Sequence, residues 1–302
     1  MGINKTDIHI HCAQRRLELD FGNPMDPLSH YVCDMQEMLE TMQANGIGHA
    51  VLMSAGETPD NGMFGLGATN ENCRNICEQS DGALHWMCNF DPVEPDTLYA
   101  RMEACKASGA VGVGEVMLNE WLDSPFLSAL FAAAEKLELP VLCHMSPEPG
   151  FSYGVCDHAG LPLLETVLQT YPKLKFLGHS QVFWLEISGD CPKEGNIARN
   201  GFGQGAVQPG GTVERLLAAY PNLYGDLSAF SAFTAITRDN TYGLAFLERF
   251  QDRLLFATDA TNRRNMPPLG RFLDQAVADG KLSRVAYEKI CKTNAERLFG
   301  IK

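Results

Sequence analysis

The sequence predicts an α/β fold: one (β/α)8 TIM barrel over residues 1–302, with a long loop after the sixth strand. Three observations predict it. Eight short apolar runs recur along the chain, stretches of helical period separate them, and polar residues interrupt the runs toward one end. A doubly wound open sheet is the main competitor. It usually carries a glycine-rich phosphate loop after an early strand, and none stands there. The GFGQG stretch (201–205) falls in the long loop, far from any strand-to-helix turn.

The first run is TDIHIHC (6–12). Alternate side chains of a strand share one face, roughly 6.5–7 Å apart. Asp7, His9 and His11 are therefore expected on one side, and Ile8, Ile10 and Cys12 on the other. A core strand of a parallel sheet would be apolar on both faces. Polar groups buried without partners are costly, so the polar face needs company, and a metal ion is one candidate. Next comes the helical stretch DMQEMLETMQANG (34–46), ending in glycine as a helix stop should. Strands two and three are GHAVLMSA (48–55) and ALHWMCNFD (83–91). His49 and His85 begin them and so belong to the opposite, stability face.

DTLYARMEACKASG (96–109) leads into strand four, AVGVGEVML (110–118), with Glu115 in its latter half. PFLSALFAAAEKLE (125–138) precedes strand five, LPVLCHMS (139–146), where His144 comes late. GLPLLETVLQTYP (160–172) precedes LKFLGHS (174–180), strand six, which His179 closes. The segment from Gln181 to about Gly211 is the long loop, with Phe183, Trp184 and Phe202 among many glycines. Loops of this length inside a domain are usually functional, often lids, with packing onto the barrel as the plainer alternative. GGTVERLLAAYP (210–221), strand seven NLYGDLSA (222–229), YGLAFLERFQ (242–251) and strand eight RLLFATDAT (253–261) complete the alternation, with Asp259 late in strand eight.

Composition narrows the function. Hydrophobic content of 45% and charged content of 20% are ordinary for a globular protein. A formal net charge of -13 argues against nucleic acid or an anionic membrane as partner. No apolar run approaches a membrane span. Ten cysteines without a CxxC pair, and an opening without a basic-plus-apolar leader, point to a reduced, cytoplasmic setting.

Catalytic groups of such a barrel lie at the C-terminal ends of its strands. His11, Glu115, His144, His179 and Asp259 all leave their apolar runs at that end. One histidine at a strand end is more often structural than a ligand. Several on one rim, mixed with carboxylates, suit a divalent metal such as zinc, manganese or iron.

In order and spacing, DIHIHC, LPVLCHMS, KFLGHS and LLFATDAT resemble the amidohydrolase superfamily, in particular its amidohydrolase-related branch. The closing KICKTNAERLFGI resembles the terminal Asn-Ala-x-Arg-Leu-x-Gly segment of that branch. The resemblance covers nearly the whole chain. It implies metal ligation by His9 and His11 on strand one and His144 on strand five. It further implies that His179 binds metal or substrate, and that Asp259 is both ligand and proton carrier. Many binuclear members bridge two metals with a carboxylated lysine on strand four, and AVGVGEVML has none. Glu115 resembles the glutamate that other members use there; a role in orienting a ligand histidine is the alternative.

The resulting expectation is a metal-dependent hydrolase of an amide, ester or lactone, with one or two ions, zinc foremost and manganese second. A divalent ion acidifies water to a pKa of roughly 7, and general acid–base transfer adds about 10²- to 10⁴-fold. The branch also contains decarboxylases and hydratases, so a non-oxidative decarboxylase or hydratase acting on an unsaturated or aromatic acid is the alternative. Arg15, Arg16, Arg263 and Arg264 stand on the rim loops and suit a carboxylated small molecule, although surface ion pairing is the plainer reading of each pair. Tyr153, His158 and Trp184 are further candidate substrate contacts. Barrels of this kind often pair, so a homo-oligomer is compatible with the sequence.

Overall fold

The computed structural model describes residues 4–18, 31–58 and 68–301. Eight parallel strands follow one another around a barrel: β1 Lys5–Ile10, β2 Ile47–Met53, β3 Leu84–Cys88, β4 Ala110–Val116, β5 Val141–Ser146, β6 Phe176–His179, β7 Leu223–Asp226 and β8 Leu254–Leu255. The ring closes between β8 and β1. Ile8 N donates to Phe256 O at 3.1 Å and His11 N to Ala260 O at 2.8 Å, and Ile10 bridges Ala260 in parallel. Helices alternate with the strands, among them Met35–Ala44, Leu98–Ala107, Pro125–Lys136, Pro162–Thr170 and Leu269–Ala278. Local chemistry starts them. The Asp34 carboxylate accepts from Glu37 N at 2.9 Å, and Ser124 caps a helix whose first residue is Pro125.

Strand periodicity sorts the core into two shells. Leu52, Trp86, Val141, Phe176 and Leu254 pack outward under the helices. Val51, Met53, Met87, Leu142, Leu177 and Leu255 fill the interior with Ile8, and Ala295, Phe299 and Ile301 of the C-terminal segment join them. Two residues above Leu142 comes His144, above Leu177 comes His179, and above Tyr224 comes Asp226. The inward face thus turns from apolar to ionisable one layer toward the C-terminal mouth.

Three expectations need correction. Strand β1 does not alternate evenly: Asp7 pairs with Ala50 and Ile10 with Leu52, three steps against two. This bulge puts Ile8 in the interior cluster while Ile10 and Cys12 pack outward. Asp7 leaves the His9 and His11 side altogether, accepting from Thr258 Oγ1 at 2.6 Å and Thr258 N at 3.0 Å. Strand eight is regular only at Leu254–Leu255, and Asp259 takes a left-handed φ of 59°. Third, the aromatic start of the long loop is not a lid. Gln181–Leu185 is a helix, and Val182, Phe183 and Trp184 are buried. Glycine makes room for both rings: a β-carbon at Gly178 would stand 2.3 Å from Phe183 Cε2, and one at Gly225 3.0 Å from Trp184 Cη2.

Strand β4 carries a second bulge. Val113 pairs with Val141 and Val116 with Cys143, again three steps against two. Both valines pack outward, so the extra step turns Glu115 into the barrel.

Candidate metal centre

Four nitrogens and three carboxylates meet in the layer above the apolar interior. His9 Nε2 lies 3.1 Å from His11 Nε2 and 3.4 Å from both Glu115 Oε2 and Asp259 Oδ1. His11 Nε2 is 3.6 Å from the same Glu115 oxygen and 3.1 Å from Asp259 Oδ1. Ligands held about 2.0–2.2 Å from a common zinc stand roughly 3.4 Å apart in a tetrahedron, and these donors have that spacing. A second group gathers on the other Glu115 oxygen. Oε1 lies 2.7 Å from His144 Nδ1 and 3.5 Å from His179 Nε2. His9 with His11 and Glu115, and Glu115 with His144 and His179, each offer three mutually close ligand atoms; His9, His179 and Asp259 form a third such group.

The supporting shell explains why these nitrogens face inward. His9 Nδ1–H donates to Asp226 Oδ2 at 2.7 Å. His179 Nδ1 meets Ser228 Oγ at 2.8 Å, and Ser228 donates to Asp226 Oδ2 at 2.8 Å. With both Nδ1 atoms engaged, both Nε2 lone pairs are left for a cation, the usual work of a carboxylate behind a metal-bound imidazole. Asn89 holds the backbone under Glu115, donating Nδ2–H to Glu115 O at 2.6 Å. Asp259 N donates to His9 O at 2.8 Å, which ties the left-handed residue to β1. Such a conformation costs about 1–3 kcal/mol and persists where its surroundings enforce it.

Electrostatics test the fit. Glu115 and Asp226 are buried and Asp259 is partly exposed; their ion-pair partners among the described residues are histidines, never lysine or arginine. Burial opposes the charged form of His9, yet Asp259, Glu115 and Asp226 outweigh it and raise its pKa. Burial would push Glu115 up, but His9 and His144 hold its carboxyl well below the usual range. Asp226 is depressed in the same way by His9 and His179. At His144 burial, helped by His179, outweighs Glu115 and the pKa falls. Three anions in a low-dielectric layer require positive charge, and the field that favours imidazolium favours a divalent cation at the same nitrogens. The donor set fits one.

Asp226 and Ser228 escape the sequence analysis. The signal was there: GDLS closes strand seven with an acid and a hydroxyl, at the one late strand end other than β2 and β3 left unassigned. The candidate substrate contacts separate. Tyr153 is at the mouth, its ring 4.4 Å from that of His144. Its surroundings and the carboxylates of Glu115 and Asp259 keep its phenol protonated. It lines a mostly apolar cavity of about 260 Å³ with Phe90, Phe126, Asn89 and Asn119. His158 instead stacks on Trp121 at 4.3 Å. Trp184 lies behind β7, donating Nε1–H to Asp226 O at 2.9 Å, so it supports the centre rather than covering it. Arg263 is engaged by Glu37 at 3.0 Å and Arg16 by Glu18 at 2.6 Å. Arg15 is exposed.

The profile of the amidohydrolase family matches residues 6–301. The chain belongs to that family. No curated protein matches it closely enough to count. Among solved structures, this amidohydrolase is similar to 5-carboxyvanillate decarboxylase of Novosphingobium aromaticivorans, complexed with manganese, at 15% identity and a TM-score of 0.65, covering 99% of this chain and 96% of that one. It is similar to 2,6-dihydroxybenzoate decarboxylase of Rhizobium at 16% identity and a TM-score of 0.61, covering 99% of each chain. A probable 2-pyrone-4,6-dicarboxylic acid hydrolase of Acinetobacter baumannii, with citric acid bound, matches at 16% and a TM-score of 0.59, covering 99% and 100%. At these identities the likeness is one of fold. No helix among the described residues is long and apolar enough to cross a membrane.

Proposed function

We propose that this amidohydrolase is a metal-dependent hydrolase that cleaves an amide, ester or lactone bond of a small carboxylated substrate, with zinc as the expected ion and manganese as the alternative. One observation carries the reading: the two oxygens of Glu115 face different donor groups, His9 and His11 on one side and His144 and His179 on the other. A carboxylate so placed can bridge two cations without a carboxylated lysine. The metal-ligand set is then His9, His11, Glu115, His144, His179 and Asp259.

When bound, the metal supplies Lewis acidity at the scissile carbonyl and acidifies water. Asp259 is the proton carrier. Its carboxylate is kept ionised, burial notwithstanding, by His9 and His11, so it can take a proton from the attacking water and return it to the leaving group. Asp226 and Ser228 hold His9 and His179 in one tautomer and orientation. If it holds no metal, His179 would instead, as the protonated ring, hydrogen-bond the carbonyl oxygen as charge develops there. Tyr153, a neutral donor at the mouth, contacts the substrate, and Arg15, without an ion-pair partner among the described residues, is available to its carboxylate.

A second reading, non-oxidative decarboxylation or hydration of an aromatic or unsaturated acid, draws on the mostly apolar cavity beside Tyr153 and on the names of two similar structures. Metal content by mass spectrometry, on protein purified without added metal or chelator, separates the two when paired with product analysis. Two equivalents per chain, with water incorporated into products of lactone or amide substrates, support hydrolysis. One equivalent, with carbon dioxide released from aromatic acids, replaces it with the second reading. Protein that neither contains nor takes up metal would falsify both.

A further inference from the structure

A second cavity, of about 410 Å³, opens on the flank of the barrel between the end of helix Met35–Ala44 and helix Leu269–Ala278. It is larger than the cavity at the mouth and shares no lining residue with it. Lys5 lies on its wall. This lysine is 3% exposed, an unusual burial for an ammonium group. It has three N–H donors and uses one, donating to Asp274 Oδ2 at 2.9 Å. Asp274 Oδ1 is already taken by the Tyr287 hydroxyl at 2.5 Å. No further hydrogen bond of Lys5 is seen among the described residues, and the residue lines the cavity. Gly270 makes room for the Phe256 ring on the same wall, since a β-carbon there would stand 3.3 Å from it.

Arg271 lines the same cavity and has no ion-pair partner among the described residues. Two cations thus face one carboxylate, a net positive pocket on a chain whose formal charge is -13. Phe256, Met266 and Pro267 add apolar surface to the lining. Buried donors left unsatisfied are costly, and the complement of this arrangement is an anion with a compact apolar body.

We propose that this flank cavity is a second binding site, distinct from the metal centre, for a small monocarboxylate. Its carboxylate would take the remaining donors of Lys5 and the guanidinium of Arg271, and its body would lie on Phe256 and Met266. The site calls for no metal, so it stands or falls independently of the proposed hydrolysis.

The test is to soak crystals of the metal-loaded protein with 4-bromobenzoate and locate bromine by anomalous scattering, alongside calorimetric titration in solution. Expected is bromine in the flank cavity with the carboxylate within hydrogen-bond distance of Lys5 Nζ. In solution, Arg271→Gln should weaken this binding at least fivefold and Lys5→Met at least tenfold. Any binding at the metal centre should be unchanged in both. Arg271 is exposed, so its variant folds even if Lys5→Met does not. Bromine only at the metal centre or nowhere, or Arg271→Gln binding in the cavity as wild type does, overturns the proposal.

Discussion

At the lower end of the barrel, Phe299 and Ile301 close the space beneath Ile8, Val51 and Leu255 with hydrocarbon. At the upper end the same inward-facing positions carry His9, His11, Glu115, His144, His179 and Asp226. The lower end also secures its last turn through polar contacts to the backbone. Asn294 Nδ2 donates to Leu254 O at 2.9 Å and Gln251 O at 2.6 Å, and Arg297 donates to Asp252 O at 3.0 Å. This gives the closing Asn-Ala-x-Arg-Leu-x-Gly segment a structural role: it caps the barrel. The two ends differ in what they need. Apolar contacts are complete within the chain, whereas the carboxylates above them need positive charge, which the histidines supply in part and a divalent cation would complete in the proposed reading.

Substitutions should therefore divide by end. The largest effect is expected for Glu115→Ala, with turnover reduced by about 10³-fold or more, the scale at which loss of transition-state electrostatics is felt. Its metal content should fall from two equivalents to one or none. Its apo form should lose stability as well, because His9 and His144 are left without the carboxylate they pair with. Wild-type metal content in the variant would show that Glu115 does not hold the cation, and the contrast between the ends would fail.

Phe299→Ala is the converse. Truncating a buried Phe costs about 3–5 kcal/mol, read as a lowered denaturant midpoint, while metal affinity of the folded protein should stay at the wild-type value. Coupled loss of metal binding would mean that the two ends do not behave separately. A smaller effect is expected for Asp226→Asn, which removes the carboxylate behind His9 and His179. Metal affinity should weaken by about 10–100-fold in competition titrations with a chelator, and the apo protein should lose some thermal stability too, since the carboxylate that His9 and His179 keep ionised has gone. The smallest is Tyr153→Phe. Losing one hydroxyl at a half-open mouth should raise KM by about 3–10-fold, in keeping with one neutral hydrogen bond, and leave metal content alone. An equal fall in kcat would instead place the phenol in the transition state.

How far the sequence could be read varied with distance along the chain. The eight strands and the inward turn of His144 and His179 follow from local period and residue type, so the fold was legible. The mouth was legible wherever a polar residue broke an apolar run, as at His11, Glu115 and Asp259. Asp226 broke one too, but its partner His9 is 217 residues away, and nothing local marks such a pair. Trp184 was misleading for a related reason. An aromatic residue in a glycine-rich stretch suggests a cover, yet the absence of a side chain at Gly225 lets the indole pack against the back of β7. Arg263 found Glu37 across a comparable separation.

By itself, then, the sequence determined the barrel, its family and the kinds of donor at its mouth, because periodicity and side-chain chemistry act over a few residues. Tertiary structure alone decided which donor faces which. The bulges in β1 and β4 aim Ile8 inward, release Asp7 to Thr258 and turn Glu115 between two histidine pairs. Those choices depend on register between strands, and register is a property of pairs of distant segments rather than of either one.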